Sequence, residues 1–308
     1  MGKIRFPFFV LAGLSAAVAI ALLLSGAGQG RRALTAPGFS AHKVAVIELT
    51  GLMTSSHDAG DRAFSARRVV EQLEKYRGDD AVRAVVLRVD TPGGTVVAAQ
   101  EIHGALQRLR EGSGKKVVVS MGDLAASGGY YVACAADRVF ASPGTLTGSI
   151  GVIMQFPNYQ GLLGKIGLDT NTIKSGEFKD LGNGARDMTD RDRRLLQGLV
   201  DDVYAQFVEV VAAGRKMPPE RVRPLADGRV FSGRQALALG LVDELGDLDA
   251  AIAAAGKLAG ISGTPEVLRE KPKRRIWELF SARLDAFFPA PLFPEAALGQ
   301  GRPLYLWQ

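Results

Sequence analysis

Two glycine-rich segments hold the side chains of this 308-residue chain with the most chemical potential. The first is Arg88-Val-Asp-Thr-Pro-Gly-Gly94 and the second Asp123-Leu-Ala-Ala-Ser-Gly-Gly-Tyr-Tyr131. Each follows an apolar run of strand type and precedes a helical pattern, which is where parallel α/β sheets place their sites. Consecutive glycines let backbone N–H groups converge on an anion. Ser127 stands at a predicted helix start, and Gly128 and Gly129 leave its Oγ open to approach. A serine there, facing an amide nest at Gly93 and Gly94, has the parts for acyl transfer: a nucleophile and an oxyanion hole. The plain alternatives are an N-cap serine and a Gly-Gly turn. Neither segment carries the Gly-x-Ser-x-Gly elbow or the Gly-x-Gly-x-x-Gly dinucleotide fingerprint.

A nucleophilic serine needs a base. The three histidines, His42, His57 and His103, show no spacing that brings one to Ser127. A lysine can serve only when neutral, and burial lowers its pKa toward that state. Ile173-Lys-Ser-Gly-Glu-Phe-Lys-Asp180 offers Lys174 and Lys179, and spacing does not choose between them. The single cysteine, Cys134, excludes a disulfide framework and any multi-cysteine metal site, and reads as a small buried apolar residue.

The elements that must position these groups alternate. Residues 44–49, 84–89, 116–120 and 138–141 read as strands, and 63–75, 97–111 and 127–136 as helices between them. A long helix is predicted over 190–213 and a short one over 231–239, stopped by Gly240. Strands alternating with helices indicate βαβ units in a mostly parallel sheet.

The composition, 47% hydrophobic and 23% charged, excludes a disordered chain. The net charge of +6 lies in the tails, because residues 41–264 hold 27 basic and 27 acidic side chains. A nucleic-acid binder would concentrate that excess on one face of its body. Residues 6–30 contain no charge, and 6–25 is long enough to cross a membrane, since about 20 residues at ~1.5 Å each span a ~30 Å core. Lys3 and Arg5 precede it, favouring a cytoplasmic N-terminus. A cleaved signal peptide is the other reading, and both place the body outside the cytoplasm. The expected organisation is a cytoplasmic stub (1–5), a transmembrane anchor (6–25), a linker (26–40), a catalytic domain (41–264) and a basic, amphipathic tail (265–308).

The ordered motifs between residues 44 and 246 resemble the bacterial signal peptide peptidase A family in its short, single-repeat form. They are Thr91-Pro-Gly-Gly94, Ala126-Ser-Gly-Gly-Tyr-Tyr131, Leu146-Thr-Gly-Ser-Ile-Gly-Val152, Lys174-Ser-Gly-Glu-Phe-Lys-Asp180 and the segment 228–246. The resemblance implies a crotonase/Clp-protease-like α/β spiral of βαβ units behind an N-terminal transmembrane helix. It implies Ser127 as nucleophile, Lys179 as general base, Ser149 as the serine that hydrogen-bonds this lysine, and Gly93 or Gly94 with Gly128 as oxyanion donors. It also implies a membrane serine endopeptidase that degrades remnant hydrophobic signal peptides on the outer face of the inner membrane. No metal or organic cofactor is expected. The serine and lysine are expected to meet only between subunits of a homo-oligomeric ring of eight. The competing readings are a membrane Ser/Lys protease that clips a stomatin-like partner, a crotonase-type acyl-CoA enzyme, and a catalytically dead scaffold.

The tail, beyond that resemblance, joins the basic run 269–275 to an aromatic-rich amphipathic stretch at 276–288. It reads as a helix on the membrane surface or against a neighbouring subunit. The alternative places the extended end at 304–307 in a substrate groove.

Overall fold

The computed structural model describes residues 42–56, 63–270 and 304–306. The expected anchor, the linker, His57 and the amphipathic stretch 276–288 lie outside the described residues. Among the described residues no helix is long and apolar enough to cross a membrane.

The chain opens with β1 (Lys43–Thr50), β2 (Leu52–Thr54) and β3 (Ala63–Ser65), then α1 (Ala66–Arg77). Next come β4 (Val82–Thr91), β5 (Gly93–Thr95), α2 (Val96–Ser113), β6 (Lys116–Ala126) and α3 (Gly128–Ala133). The strands β7 (Arg138–Ala141) and β8 (Leu146–Gly148) follow, then α4 (Gln160–Lys165) and the long α5 (Asp190–Arg215). The rest is α6 (Pro219–Val222), β9 (Val230–Ser232), α7 (Gly233–Leu239), β10 (Glu244–Leu245), α8 (Leu248–Leu258), β11 (Glu266–Arg269) and β12 (Leu304–Leu306).

The main sheet runs β10-β7-β6-β4-β1-β11, all neighbours parallel, with β8 parallel to the far end of β6 and β9 antiparallel to β8. Its central strand β4, VRAVVLRVDT, is buried on both faces, as the near-continuous Val/Leu run requires. Helices α1, α2, α3 and α5 cover one face, where Leu73, Ile102, Leu106, Val119, Tyr130 and Phe207 share a core. Helix α8 covers the other, packing Ala251, Ile252 and Ala255 on Val44, Val86 and Phe140. The mixed α/β class with a parallel sheet is therefore as the sequence indicated.

Several boundaries differ for physical reasons. Residues 63–65 pair with β2, so α1 starts at Ala66 and not at 63. The predicted helix over 231–239 divides at Ser232, whose side chain caps α7 after β9 has paired with β8. Strand β6 extends beyond 120 to Ala126, because its second half pairs with β8. Glu266–Arg269, assigned to the tail, adds a parallel strand to β1.

His103 takes a packing role. It is buried on α2, edge-on to the Tyr131 ring at 5.2 Å, which in turn meets Phe207 at 5.2 Å. Burial first, and the Arg110 charge second, push its pKa down to about 4 from an ordinary 6.5. The folded protein thus holds this ring neutral while the unfolded chain protonates it, so stability falls as pH drops from about 6.5 to 4. A shift of that size corresponds to about 3 kcal/mol. Urea melts at pH 7 and pH 4.5 are expected to show a smaller loss of stability for His103→Gln than for the wild type, by about 2 kcal/mol.

Candidate active site

Ser127 lies at the junction of β6 and α3, and its backbone is strained: φ is 51° and ψ −114°. A non-glycine residue there costs about 1–3 kcal/mol and persists only where its surroundings impose it. Here the Ser127 N–H donates to Gly148 O at 2.8 Å, and Ser127 O accepts from Tyr131 N–H at 2.9 Å. The Tyr130 hydroxyl, donating to Leu241 O at 2.9 Å, pins the helix from the far side. The sequence placed Ser127 inside a helix over 127–136; the structure sets it just before one, aimed by the turn. Its side chain is wholly buried, and its Oγ has no hydrogen-bond partner among the described residues.

Ser149 stands beside it by strand register. Ala126 pairs with Gly148, so Ser127 and Ser149 are the next residues on parallel neighbours. Ser149 is also left-handed, with φ of 49°, and its N–H donates to Arg229 O at 2.9 Å.

The glycine turn is built against β2. A Cβ at Gly94 would lie 1.9 Å from Met53 O, so only glycine lets β5 pair with β2 at Met53. Gly93 has φ of 106°, and its N–H donates to Thr91 Oγ1 at 3.0 Å. The Thr91 hydroxyl itself donates to Gly51 O at 2.5 Å. A Cβ at Gly129 would lie 2.7 Å from the Thr91 methyl, so this threonine also sets the approach of the serine turn to the glycine turn. The Gly93 amide is thus committed to Thr91, while Gly94 pairs with Met53 of β2. The anchoring part of Thr91 was not legible as such in the sequence, although the residue opens the Thr-Pro-Gly-Gly motif.

The structure separates the two lysines. Lys174 Nζ is spent on Asp180 Oδ1 at 2.7 Å and on Glu177 O at 2.9 Å. Lys179 is exposed, and its Nζ has no hydrogen-bond or ion-pair partner among the described residues. A buried hydroxyl and an exposed amine, each unpartnered, are not joined within this one chain.

The tail end is also placed. Backbone of Leu304–Leu306 forms β12, antiparallel to β5, with Tyr305 opposite Gly94 and Leu306 opposite Gly93. This pairing lays the extended end along β5; the helix readings of the tail concern 276–288, outside the described residues. Cys134 is buried as expected, and burial pushes its thiol up to about 12. A cavity of about 580 Å³ lies elsewhere, between α5 and the segment holding Met154 and Phe156, and Ser127 does not line it.

The profile of peptidase family S49 matches residues 110–262. A Synechocystis sp. protein named "Putative protease slr0021" is 44% identical over 219 residues, covering 71% of this chain and 75% of that one. The chain belongs to peptidase family S49. An Enterococcus faecium protein named "Putative signal peptide peptidase SppA" is 35% identical over 68% of this chain and 61% of its own length. Protease 4 of Salmonella typhi is 33% identical over 85% of this chain but 44% of its own, longer length. This S49 member is thus a protease by family, and its buried serine turn lies within the matched residues.

Gly94→Ala in this peptidase is expected to force β5 off β2. The expected result is a loss of about 1–3 kcal/mol in thermal or urea unfolding, as for other overpacked sites, together with a fall in peptidase rate larger than the stability loss explains.

Proposed function

We propose that this S49 protein is a membrane-anchored serine endopeptidase with a Ser127/Lys179 dyad, acting on apolar peptides such as remnant signal peptides. The observation that carries the reading is the unpartnered, strained Ser127 beside a β5 edge that already accepts an extended peptide backbone, that of Leu304–Leu306. Strand addition of this kind supplies main-chain binding independent of side chains. Residues 6–25 would hold the enzyme in the membrane, with its catalytic domain on the outer face. The crotonase/Clp-like spiral remains part of this reading, supported by the parallel β4, β6 and β8 that meet at the site.

In the reaction, neutral Lys179 takes the Ser127 proton as Oγ attacks the peptide carbonyl. Charge on the carbonyl oxygen is met by the Gly94 and Gly128 N–H groups, each such donor being worth about 10²–10³ in rate. The lysine passes its proton to the departing amine. It then deprotonates the water that attacks the acyl group and returns that proton to Ser127 Oγ as it leaves, and Ser149 hydrogen-bonds the amine meanwhile.

Lys179 does this for Ser127 of the partner subunit. Two features support that arrangement: the absence of a partner for either group among the described residues, and the surface of the segment 160–180 that carries Lys179. Leu162, Ile166, Leu168 and Ile173 are all more than half exposed there, and α4 buries none of its residues. Apolar surface of that kind marks an interaction site, and a ring of identical copies covers it.

Ser127→Ala and Lys179→Ala are each expected to abolish hydrolysis of a fluorogenic apolar peptide by the purified full chain. Mixing the two variants is expected to restore a fraction of it through mixed interfaces. Full activity in either variant alone contradicts the dyad. Ending the chain at Arg302, before β12, is expected to speed labelling of Ser127 by a fluorophosphonate several-fold.

A further inference from the structure

Both sequence neighbours of Lys179 are tied to the start of α5. On one side, the Arg191 guanidinium lies 5.7 Å from the Phe178 ring centre and pairs with Glu177 at 2.9 Å. On the other, Arg186 grips Asp180 through both oxygens, Nε to Oδ2 at 2.9 Å and Nη2 to Oδ1 at 3.0 Å. Lys174 adds a third contact to the same carboxylate at 2.7 Å. Arg186 also reaches Asp192 at 2.6 Å, and Asp192 accepts the Thr189 N–H that closes the capping box of α5. Asp187, in the same segment, accepts from the Asn158 amide at 2.7 Å, and Asp190 stands beside Asp192 in the first turn of α5. Glu177 and Asp180, the acidic groups flanking Lys179, therefore both have partners, and among the described residues Lys179 has none.

This matters for a base. A carboxylate next to an amine stabilises the ammonium, and an ammonium accepts no proton. Asp180, adjacent in sequence to Lys179, is the group positioned to do that damage.

We propose that Arg186 is a positioning residue that fixes the Lys179 turn to α5 and holds the Asp180 carboxylate away from the Lys179 amine, keeping that amine free to lose its proton. The inference rests on Lys179 being the base. The charge state agrees with it: Arg186 first and Lys174 second hold the Asp180 carboxyl well below the usual carboxylate range, and Arg186 pulls Asp192 down to about 2. Asp180 stays ionised, bound and sequestered at any working pH.

The test is the pH dependence of kcat/KM for a fluorogenic apolar peptide, measured on the full chain in detergent. In the wild type the rate is expected to rise with pH through a midpoint. Arg186→Gln is expected to move that midpoint up by about one unit, with a roughly tenfold loss on the acid side that recovers at high pH. Asp180→Asn in the Arg186→Gln background is expected to bring the midpoint back, and Arg186→Lys to move it less than Arg186→Gln does. Asp180→Asn alone removes the carboxylate beside Lys179 while Arg186 keeps Asp192 and Lys174 loses its counter-ion, so its midpoint is expected at or below the wild-type value. A uniform loss at every pH, or a double variant shifted like the single one, overturns the proposal while leaving the dyad standing. Activity retained by Lys179→Ala overturns both.

Discussion

The site depends on one backbone constraint, the left-handed turn at Ser127. The chain cannot hold a serine at φ of 51° by itself; the neighbouring strand end does so, through the Gly148 carbonyl 2.8 Å from the Ser127 N–H. That bond exists because β8 runs parallel to the last residues of β6, in a register that brings Gly148 opposite Ala126. β8 is held in turn by Thr147 Oγ1, which donates to Ala125 O at 2.7 Å, and by its pairing with β9. The strain at Ser127 is thus distributed over three strands, and the hydroxyl is aimed by architecture rather than by a side-chain partner.

The glycine turn meets the serine turn by a related device. Thr91 joins three strand ends: its hydroxyl bonds Gly51 O and the Gly93 N–H, and its methyl lies where a side chain on Gly129 would go. Gly94 is pressed onto Met53 O so closely that any side chain would part the strands. Such glycines are determined by close approach of backbone to backbone, a tertiary matter. The arm that bears Lys179 is built differently. It has almost no core of its own and is braced by charge, through Arg186, Asp180 and Asp192, onto the start of α5. That brace gives a defined geometry on an exposed arm, where a hydrophobic one would have nothing to bury against within the chain.

Some of this was legible in the residues and some was not. The Val-rich runs at 84–89 and 116–120 announced buried parallel strands, since apolar patterning is local and survives in any context. The long α5 declared itself in the same way. The short strands β2, β5 and β8 did not, because two or three residues carry no period and take their conformation from the partner they pair with. The second half of β6 and the strand β11 were missed for the same reason. The choice between Lys174 and Lys179 is of this kind as well: both are lysines in one polar loop, and only the three-dimensional course of that loop consumes the first on Asp180 and leaves the second free.

By its residues alone, the chain determined an alternating α/β body, a serine ahead of two glycines, a second glycine pair, and two candidate bases. Those are statements about types and spacing, which short-range chemistry dictates. The tertiary structure decided which amide of the glycine turn is committed, why Ser127 and Ser149 lie side by side, and that the amine and the hydroxyl do not meet within one copy. These are properties of strand register and loop path, and they arise from contacts between residues far apart in the chain, whose positions no local pattern encodes.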